Sequence, residues 1–363
     1  MNREANKGTS PGRATRLCSC AALAAAALVP LGVAGEPGMR VRLGEGPEPV
    51  RVGAIRIEAG RSGLRIDGRE AGPRWTAAPP GPHAVGALRV RGAVEVVRVA
   101  EGLRVVNRVG LEDYLAGTLG REVYPRWHDE ALKAQAVVSR TYALHRREQR
   151  RGEGFDLEAG TRDQVYGGTA AETPRLRQAI AATRGQHLRH GGVPILAAFH
   201  SASGGHTASA EEVWGEAIPY LVAQRVPHEE DSPDTYWRAR VTGTTLGRAL
   251  APLGLDVGPV RRVRVEARSP SGRSERLSVE GVQGRGSLTG RALRTALGEG
   301  VLRSTLFEVR SHEGSFVFVG SGHGHGVGMS QWGAESMARR GSTYREILAA
   351  FYPGTTLVTE GAR

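Results

Sequence analysis

Glu122 is the carboxylate of this chain whose neighbours best suit acid catalysis. Tyr124, Pro125 and Trp127 follow it within five residues. Aromatic rings exclude water from a carboxyl group, and the loss of hydration raises its pKa because the charged form is disfavoured. A glutamate with a raised pKa can protonate a leaving oxygen near neutral pH. We therefore predict that Glu122 is a general acid, and the alternative is an ordinary surface glutamate in a loop.

The same region contains Lys133, the only lysine beyond residue 34 in a chain that is otherwise rich in arginine. Asn107, just upstream, is likewise the only asparagine beyond residue 34. Lysine and arginine differ in charge density and hydration, so a retained lysine indicates a site that requires it. Arg140 lies seven residues after Lys133 and would share its face of a helix. We expect both cations to avoid Glu122, because contact would lower the pKa of the acid.

A second candidate segment, AAFHSASGGHTASAEEVWG, covers residues 197–215. His200 and Ser201 end an apolar run, and the pair Gly204 and Gly205 allows the backbone to turn tightly. The residues that flank Ser201 do not match the Gly-x-Ser-x-Gly pattern of a nucleophile elbow. Small polar side chains and glycine amides suit hydrogen bonding to sugar hydroxyls and acetamides, so we predict a binding role.

A third segment, GSGHGHGVGMSQWG, covers residues 320–333 and contains five alternating glycines. Glycines in this pattern let the main chain pass very close to another surface. His323 and His325 would lie on one side of an extended loop, and with His200 or His206 they could ligate zinc. The alternative is that the imidazoles form hydrogen bonds in the core or with substrate. No carboxylate stands at metal-ligand spacing, so we predict neither a metal nor a cofactor.

The first elements that must position these segments are strands and two helices. Residues 40–106 alternate apolar and charged positions, which predicts a small antiparallel β-rich module. Helical spacing begins at Leu111, and Gly120 is expected to end or interrupt that helix. A second helix is predicted for residues 129–147. Glu122 would then lie in the link between the two helices.

The rest of the chain predicts a mixed α+β fold. A domain of residues 107–358 would carry the site, and residues 243–300 form a possible inserted α/β subdomain. The runs VPILAAFH and GSFVFVG predict buried strands, and shorter helices are predicted near residues 173–183, 334–339 and 344–351. The expected arrangement is therefore a helical catalytic segment packed on antiparallel sheets.

Residues 1–34 read as a secretory signal peptide. A basic stretch precedes the apolar run LCSCAALAAAALVPLGVA, and Gly32 and Ala34 suit cleavage at small residues. A retained membrane anchor is the alternative. Cys18 and Cys20 are the only cysteines of the chain, so the mature protein would have neither disulfides nor thiolate metal ligands. We predict export to the periplasm, the cell wall or the extracellular space, with membrane attachment only through an uncleaved leader.

The net charge of +12 indicates an anionic partner. The predicted leader contributes +3 of it, from four basic residues against Glu4, which leaves +9 in the exported part. Nucleic acid is not expected, because the arginines are dispersed with few aromatic residues among them and no nucleic-acid motif occurs. An acidic cell-envelope polymer fits the export signal better. A solvated, arginine-rich surface set by genome composition is the alternative.

The three segments together resemble the stage II sporulation protein D family (SpoIID/LytB). The resemblance is carried by LEDYLAGTLGREVYPRWHDEALKAQAVVSRTYAL, HSASGGHTASAEEVWG and GHGVGMSQWGAESMARRGSTYREILAAFYPGT, and it spans roughly residues 40–358. It implies a peptidoglycan lytic transglycosylase of mixed α/β fold whose single glutamate, at Glu122 here, cleaves between MurNAc and GlcNAc without water. The positions at which it implies substrate binding are Lys133, Gln135, Arg140, Tyr142, His200, Ser201, Gly204, Gly205, His325, Ser330 and Gln331.

The reaction that this resemblance implies requires one titrating residue. Glu122 would protonate the glycosidic oxygen, and the resulting carboxylate would take the proton of the MurNAc 6-hydroxyl to give a 1,6-anhydro sugar. Ordinary glycosidases use two carboxyl groups, so the lack of an obvious second one favours this route. Lys133 and Arg140 could bind the lactyl carboxylate of a glycan stripped of its peptides.

Departures from the family pattern keep two other functions open. Val123 and Tyr124 stand where relatives commonly have Met and Pro, and His323 replaces a usual Trp. Part of the family carries an amidase-enhancing name, so one alternative is a non-catalytic peptidoglycan-binding protein that activates a cell-wall amidase. The other is a zinc-dependent hydrolase built on His200, His323 and His325.

Overall fold

A computed structural model describes residues 38–79 and 81–360, so the predicted leader lies outside the described part. Two sheets form its N-terminal region. Their strands are β1 (Gly38–Gly46), β2 (Val50–Val52), β3 (Ile55–Ala59), β4 (Leu64–Ile66), β5 (Arg69–Ala71), β6 (Arg74–Ala77), β7 (His83–Val85), β8 (Leu88–Val90), β9 (Ala93–Val99), β10 (Gly102–Gly110) and β11 (Leu157–Glu158). One sheet has the strand order β11-β1-β10-β9-β6 and the other has the order β5-β4-β3-β2-β7-β8.

These strands share one core with the helices that follow. Alternate apolar residues of β1, Met39 and Val41, are buried together with Leu115 and Leu132 of the first two helices. Strand β10 pairs antiparallel with both β1 and β9, and β11 adds a parallel pair to β1. The boundary predicted between residues 106 and 107 therefore falls inside β10. The β-rich region packs as one body with the site-bearing helices.

Three helices carry or support the first predicted segment: α1 (Leu111–Glu122), α2 (Asp129–Gln149) and α3 (Pro174–Ala182). The prediction that Gly120 ends α1 is wrong, because the helix continues to Glu122 and Val123 N–H still donates to the carbonyl of Leu119. A Cβ at Gly120 would lie 2.1 Å from the carbonyl oxygen of Ala171. The glycine thus permits close packing of a neighbouring 3-10 turn, Gly168–Ala171, and Glu122 becomes the last residue of the helix.

The middle of the chain contains few regular elements: β12 (Gln186–His190), β13 (Val193–Pro194), β14 (Phe199–His200) and α4 (Ala210–Trp214). The run VPILAAFH, predicted as a buried strand, is buried only in part, since Val193 is 62% exposed, and it forms strand only at its two ends. Between them the backbone turns, since Ala198 N–H donates to Leu196 O and Leu196 N–H donates to the hydroxyl of Tyr220. Local hydrogen bonds here replace the sheet ladder that a continuous strand requires.

The predicted insertion has its own core, formed by residues such as Trp237, Leu246, Leu277 and Phe318. Two three-stranded sheets, β15-β20-β19 and β16-β17-β18, build it, and its first and last strands pair antiparallel, which extends the unit to residues 237–320. Its elements are β15 (Trp237–Thr242), α5 (Gly243–Leu250), a 3-10 turn (Ala251–Leu253), β16 (Val260–Arg268), β17 (Ser274–Gly281), β18 (Arg285–Thr289), α6 (Gly290–Leu297), β19 (Phe307–His312) and β20 (Ser315–Gly320).

The chain closes with β21 (Met329–Ser330), α7 (Gln331–Arg339), α8 (Tyr344–Phe351) and β22 (Thr356–Thr359). Strand β21 pairs in parallel with β14, which joins the second and third predicted segments, and β22 completes a three-stranded sheet with β12 and β13. The α+β fold class is confirmed. Among the helices of residues 38–79 and 81–360, none is long and apolar enough to cross a membrane.

Candidate active site

Glu122 ends helix α1 with a half-buried carboxyl group. Its Oε1 accepts one hydrogen bond, from the backbone N–H of Val165 at 2.9 Å. Burial raises the pKa of Glu122, and the hydrogen bond from Val165 offsets only part of that effect. Within the described residues no lysine or arginine forms an ion pair with this carboxylate. Few contacts therefore offset the cost of burying the charged carboxylate, and burial shifts its ionisation equilibrium toward the protonated form.

An aromatic cluster follows Glu122 directly. The rings of Tyr124, Trp127 and Trp332 lie with centroids 5.0–6.1 Å apart. Trp127 is buried, whereas Tyr124 remains 45% exposed and offers a ring to solvent. Two of these rings were predicted from their position near the acid. Trp332 comes from the third segment, and only the fold brings it here.

A short loop presents the N–H of Val165, and a buried aspartate anchors that loop. Asp163 accepts hydrogen bonds from the Tyr142 hydroxyl at 3.0 Å, from Arg150 at 2.7 Å and from the backbone N–H of Glu158 at 2.8 Å. Burial first, and then the negative charge of Asp163, raises the pKa of Tyr142, so its proton stays in the bond to that carboxylate. Tyr142 thus positions the loop that contacts the acid, which differs from the predicted binding role.

Asn107, the unusual asparagine, supports the same loop from the sheet below. Its amide donates to the carbonyls of Arg91 and Ala93, and its oxygen accepts the hydroxyl of Tyr166 at 2.9 Å. Tyr166 follows Val165 and stacks on Tyr114 with a centroid distance of 5.5 Å. Both N–H groups and the oxygen of this buried side chain bond within the protein, so Asn107 has a structural role.

Gln331 links the third segment to the acid. Its amide donates to the backbone carbonyl of Glu122 at 3.1 Å and to the side-chain oxygen of Gln135 at 3.3 Å. Gln135 in turn donates to Ser139 at 3.1 Å. Both glutamines are buried, so they fasten the end of α1 to α2 and α7. This geometry supports positioning of Glu122 by two residues that were predicted to bind substrate.

The two predicted cations differ sharply in their surroundings. Arg140 is fully buried and forms a two-pronged pair with Glu112, at 2.9 and 2.6 Å, and its remaining nitrogen donates to Gln186 O at 3.0 Å. This placement argues against the predicted contact of Arg140 with substrate. Lys133 is partly exposed and pairs with Glu130 at 2.6 Å. Their described ion pairs are thus with carboxylates other than Glu122, as expected because a cation in contact with Glu122 would lower its pKa.

The second and third segments meet at a buried carboxylate that the sequence analysis missed, Glu229. It accepts the N–H and hydroxyl of Ser203, at 3.1 and 2.5 Å, the N–H of Gly205 at 3.1 Å and the hydroxyl of Ser330. Ser330 also caps helix α7 by accepting Gly333 N–H. Gly205 and Ser330 therefore serve this junction, whereas they were predicted to bind substrate. Gly204, beside them, adopts a positive φ of 76° at the turn.

His200 and His325 lie side by side at the junction, with ring centroids 5.6 Å apart. The Nδ1 atom of His200 bonds to the carbonyl of Val327, and Nδ1 of His325 accepts the N–H of the same residue. Burial lowers the pKa of His325 to about 4 and the pKa of His200 well below its usual value, so both rings are neutral. Ser201 contacts the third segment through its carbonyl, which accepts Trp332 N–H at 3.0 Å.

The geometry does not support the zinc alternative. His323 bonds to Asp234 at 3.1 Å and does not join His200 and His325, because positive φ angles at the intervening glycines prevent the extended loop that the alternative required. In the part of the chain that the structure describes, no group of three or more His, Cys, Asp or Glu side chains is arranged to hold a metal ion.

The alternating glycines of the third segment allow close approach, as predicted. A Cβ at Gly324 would lie 2.7 Å from the Cβ of His200, and one at Gly328 would lie 2.0 Å from the carbonyl oxygen of Ala198. Gly326 faces the guanidinium of Arg273, which a Cβ would approach to 2.3 Å. The loop therefore packs closely between the second segment and Arg273 of the inserted unit.

The fold and the site together define an α+β protein in which the third segment contacts both the Glu122 segment and the second segment. A family model described as stage II sporulation protein matches residues 99–190, which include Glu122, and a model described only as a domain of unknown function matches residues 218–328.

Curated relatives extend this similarity over most of the chain. Stage II sporulation protein D of Bacillus subtilis (strain 168) is 30% identical over 302 residues, 78% of this chain and 84% of the relative. The protein of the same name from Bacillus amyloliquefaciens is 31% identical over 268 residues, covering 69% and 75%. The chain belongs to the stage II sporulation protein D family. A B. subtilis protein named amidase enhancer is 28% identical over 290 residues, which is 68% of this chain but only 40% of that relative.

Proposed function

We propose that this protein is an exported lytic transglycosylase that cleaves the MurNAc–GlcNAc bond of peptidoglycan and leaves 1,6-anhydro-MurNAc ends. The observation that carries the proposal is the state of Glu122: a half-buried carboxyl group with a raised pKa, one hydrogen-bond donor and no described ion pair. A group in this state can deliver a proton to a glycosidic oxygen near neutral pH.

The remaining steps use the same oxygen atoms. As the glycosidic C–O bond breaks, the Glu122 proton moves to the leaving GlcNAc oxygen, and positive charge develops on the MurNAc ring. The Glu122 carboxylate then takes the proton of the MurNAc 6-hydroxyl, whose oxygen closes the anhydro ring, so the acid is regenerated without water. Tyr124, exposed beside the acid, offers a face on which a sugar ring can stack.

The matched test compares Glu122→Gln with Asp129→Asn. Asp129 is an exposed carboxylate, 62% accessible, in the same segment. Purified proteins would be incubated with glycan strands with and without stem peptides, and the products analysed for anhydro-MurNAc ends. Glu122→Gln should lower their rate of formation at least about a hundredfold, within the range of general acid catalysis, and Asp129→Asn should leave it within about twofold. Reducing ends in place of anhydro ends would contradict the proposal.

Activation of a cell-wall amidase is a second candidate function. The name of the amidase enhancer relative supports it, because that name describes an effect on another enzyme. The same glycan assay separates the two functions. Intact glycan, together with a faster amidase in the presence of both wild-type and Glu122→Gln protein, would favour the activator.

A further inference from the structure

A pocket of about 660 Å³ lies between helix α4 and the inserted unit, and none of its lining residues belongs to the Glu122 segment. Trp214 from the second segment and His325 from the third line one side. Arg273, Arg291 and Arg294 line the other. The walls thus combine an aromatic ring, a neutral imidazole and three guanidinium groups, which is a typical composition for a binding site of an amphipathic anion.

Arg273 is the most informative residue of this pocket. It is only 3% exposed, and its Nη2 donates to the carbonyls of Ser203 and His206 at 3.1 and 3.0 Å. Its Nε and Nη1 atoms are buried without a hydrogen-bond partner in the described part of the chain. Buried N–H groups of a charged side chain are costly when unpaired, so these two atoms require an acceptor that residues 38–79 and 81–360 do not provide.

The acidic residues around the pocket restrict what that acceptor can be. The charge of Glu212 attracts that of Arg273, but the oxygens of Glu212 accept hydrogen bonds from Ser271, at 2.6 Å, and from Ser209. Glu299 pairs with Arg294 at 2.9 Å. Neither carboxylate has a described hydrogen bond to Arg273. Glu211 and Glu275 add exposed carboxylates to the lining. A polyanion would be repelled by these groups, whereas a ligand with a single carboxylate could place it at Arg273.

We propose that this pocket is a second binding site, separate from the Glu122 site, for a carboxylate-bearing amino-sugar fragment of peptidoglycan. The carboxylate accepts the unpaired N–H groups of Arg273, as planar guanidinium groups bind carboxylates. The sugar ring lies against Trp214, and the acetamide is within the polar surroundings of His325. The inference rests on the proposed cell-wall function. The carboxylate has two possible sources, the lactyl group of MurNAc or the peptide attached to it.

Binding of soluble fragments to the full chain carrying Glu122→Gln tests this site without turnover. The probes are MurNAc, whose lactyl carboxylate is free, its methyl ester, and MurNAc-L-Ala-D-isoglutamine, whose single free carboxylate is on the peptide. Calorimetry would give the affinities, and the indole NMR signal of Trp214 would report the location. We expect at least one acid to bind about tenfold or more tightly than the ester, because a hydrogen bond to a charged group contributes that much. The acid that binds identifies the source.

Two variants on the pocket wall and one control complete the test. Trp214→Ala and Arg291→Ala should each weaken binding about fivefold or more, and Arg291 is exposed, so its replacement leaves the fold intact. Arg310→Ala removes an arginine that is 78% exposed and outside the pocket, and it should have no effect. Equal affinity for acid and ester, unchanged binding in both variants, or no binding of either acid would overturn the proposal. Failure of the proposed function would instead appear as wild-type protein that forms no anhydro ends, whatever the pocket binds.

Discussion

Two carboxylates of this protein, Glu122 and Glu229, are withdrawn from water in different ways. Glu229 lies at the junction of the second and third segments and accepts hydrogen bonds from Ser203, Gly205 and Ser330. Glu122 ends a helix and accepts one, from Val165. The hydrogen bonds to Glu229 connect two loops. Glu122 keeps most of the cost of its burial, and that cost raises its pKa.

Under the proposed function, the donors around a carboxylate, more than its burial, distinguish the structural role of Glu229 from the chemical role of Glu122. The cations obey the same rule. Arg140 and Lys133 pair with Glu112 and Glu130, and neither neutralises Glu122. A cation in contact with the acid would favour its ionised form and remove its proton-donating ability.

The largest expected effect extends the comparison to the other end of helix α1. Arg140→Met should lower the free energy of unfolding by about 4 kcal/mol, because it removes the guanidinium from a buried carboxylate at Glu112. Lys133→Met, which breaks a partly exposed pair, should cost less than about 1 kcal/mol. Urea unfolding at pH 7 measures both. If Arg140 instead served only to bind substrate, its replacement would leave stability unchanged.

Replacing the two carboxylates themselves tests the comparison directly. Glu229→Ala should cost about 3 kcal/mol in urea unfolding, since several buried donors lose their acceptor. Glu122→Gln should raise the free energy of unfolding slightly at pH 7. The reason is that a carboxyl group whose pKa is raised on folding destabilises the native state above that pKa. Similar losses in both variants would contradict the distinction drawn between them.

The histidines beside Glu229 predict a loss of stability in mild acid. Burial lowers the pKa of His325 to about 4, against about 6.5 in an unfolded chain. The unfolded state therefore binds more protons between these values, and stability falls as pH drops from about 6.5 to about 4. Between pH 7 and pH 5 the Tm should fall by about 4 °C more in wild-type protein than in His325→Gln. His312→Gln, an exposed control, should behave as wild type.

A smaller effect on stability, but a clear one on activity, is expected for Gln331→Met. The variant loses the hydrogen bonds to the Glu122 carbonyl and to Gln135, at a cost of about 1 kcal/mol. As a positioning residue, Gln331 should affect kcat about tenfold and leave KM nearly unchanged. A change confined to KM would show that it binds substrate after all.

Local patterns were enough to predict the α+β class and the raised pKa of Glu122 beside aromatic rings, because each depends on residues close in sequence. The donor at Val165 could not be predicted, since a backbone N–H leaves no mark on the residue type. Gly120 was misread as a helix end because its reason, the approach of Ala171, is tertiary. Arg140 was misread as a ligand for a similar reason: its pairing with Glu112 depends on how two helices pack.

Glu229 shows the same limit of sequence patterns for a residue that was not predicted. It lies in an acidic run that is typical of an exposed loop. Two of its donors, Ser203 and Ser330, are 26 and 101 residues away in the sequence. Helix and strand periodicity carries no information about such distant partners. The unusual Asn107 does lie near the Glu122 region, but its role there is structural, because its side chain accepts a hydrogen bond from Tyr166.

The most direct test is the titration of Glu122 itself. Carboxyl ¹³C NMR of glutamate-labelled protein, assigned by comparison with Glu122→Gln, would give its pKa in the absence of substrate. We predict that the pKa of Glu122 lies above the ordinary glutamate pKa of about 4.3. A Glu122 that titrates at or below that value would be stabilised in its charged form, and it could not be the acid of the proposed reaction.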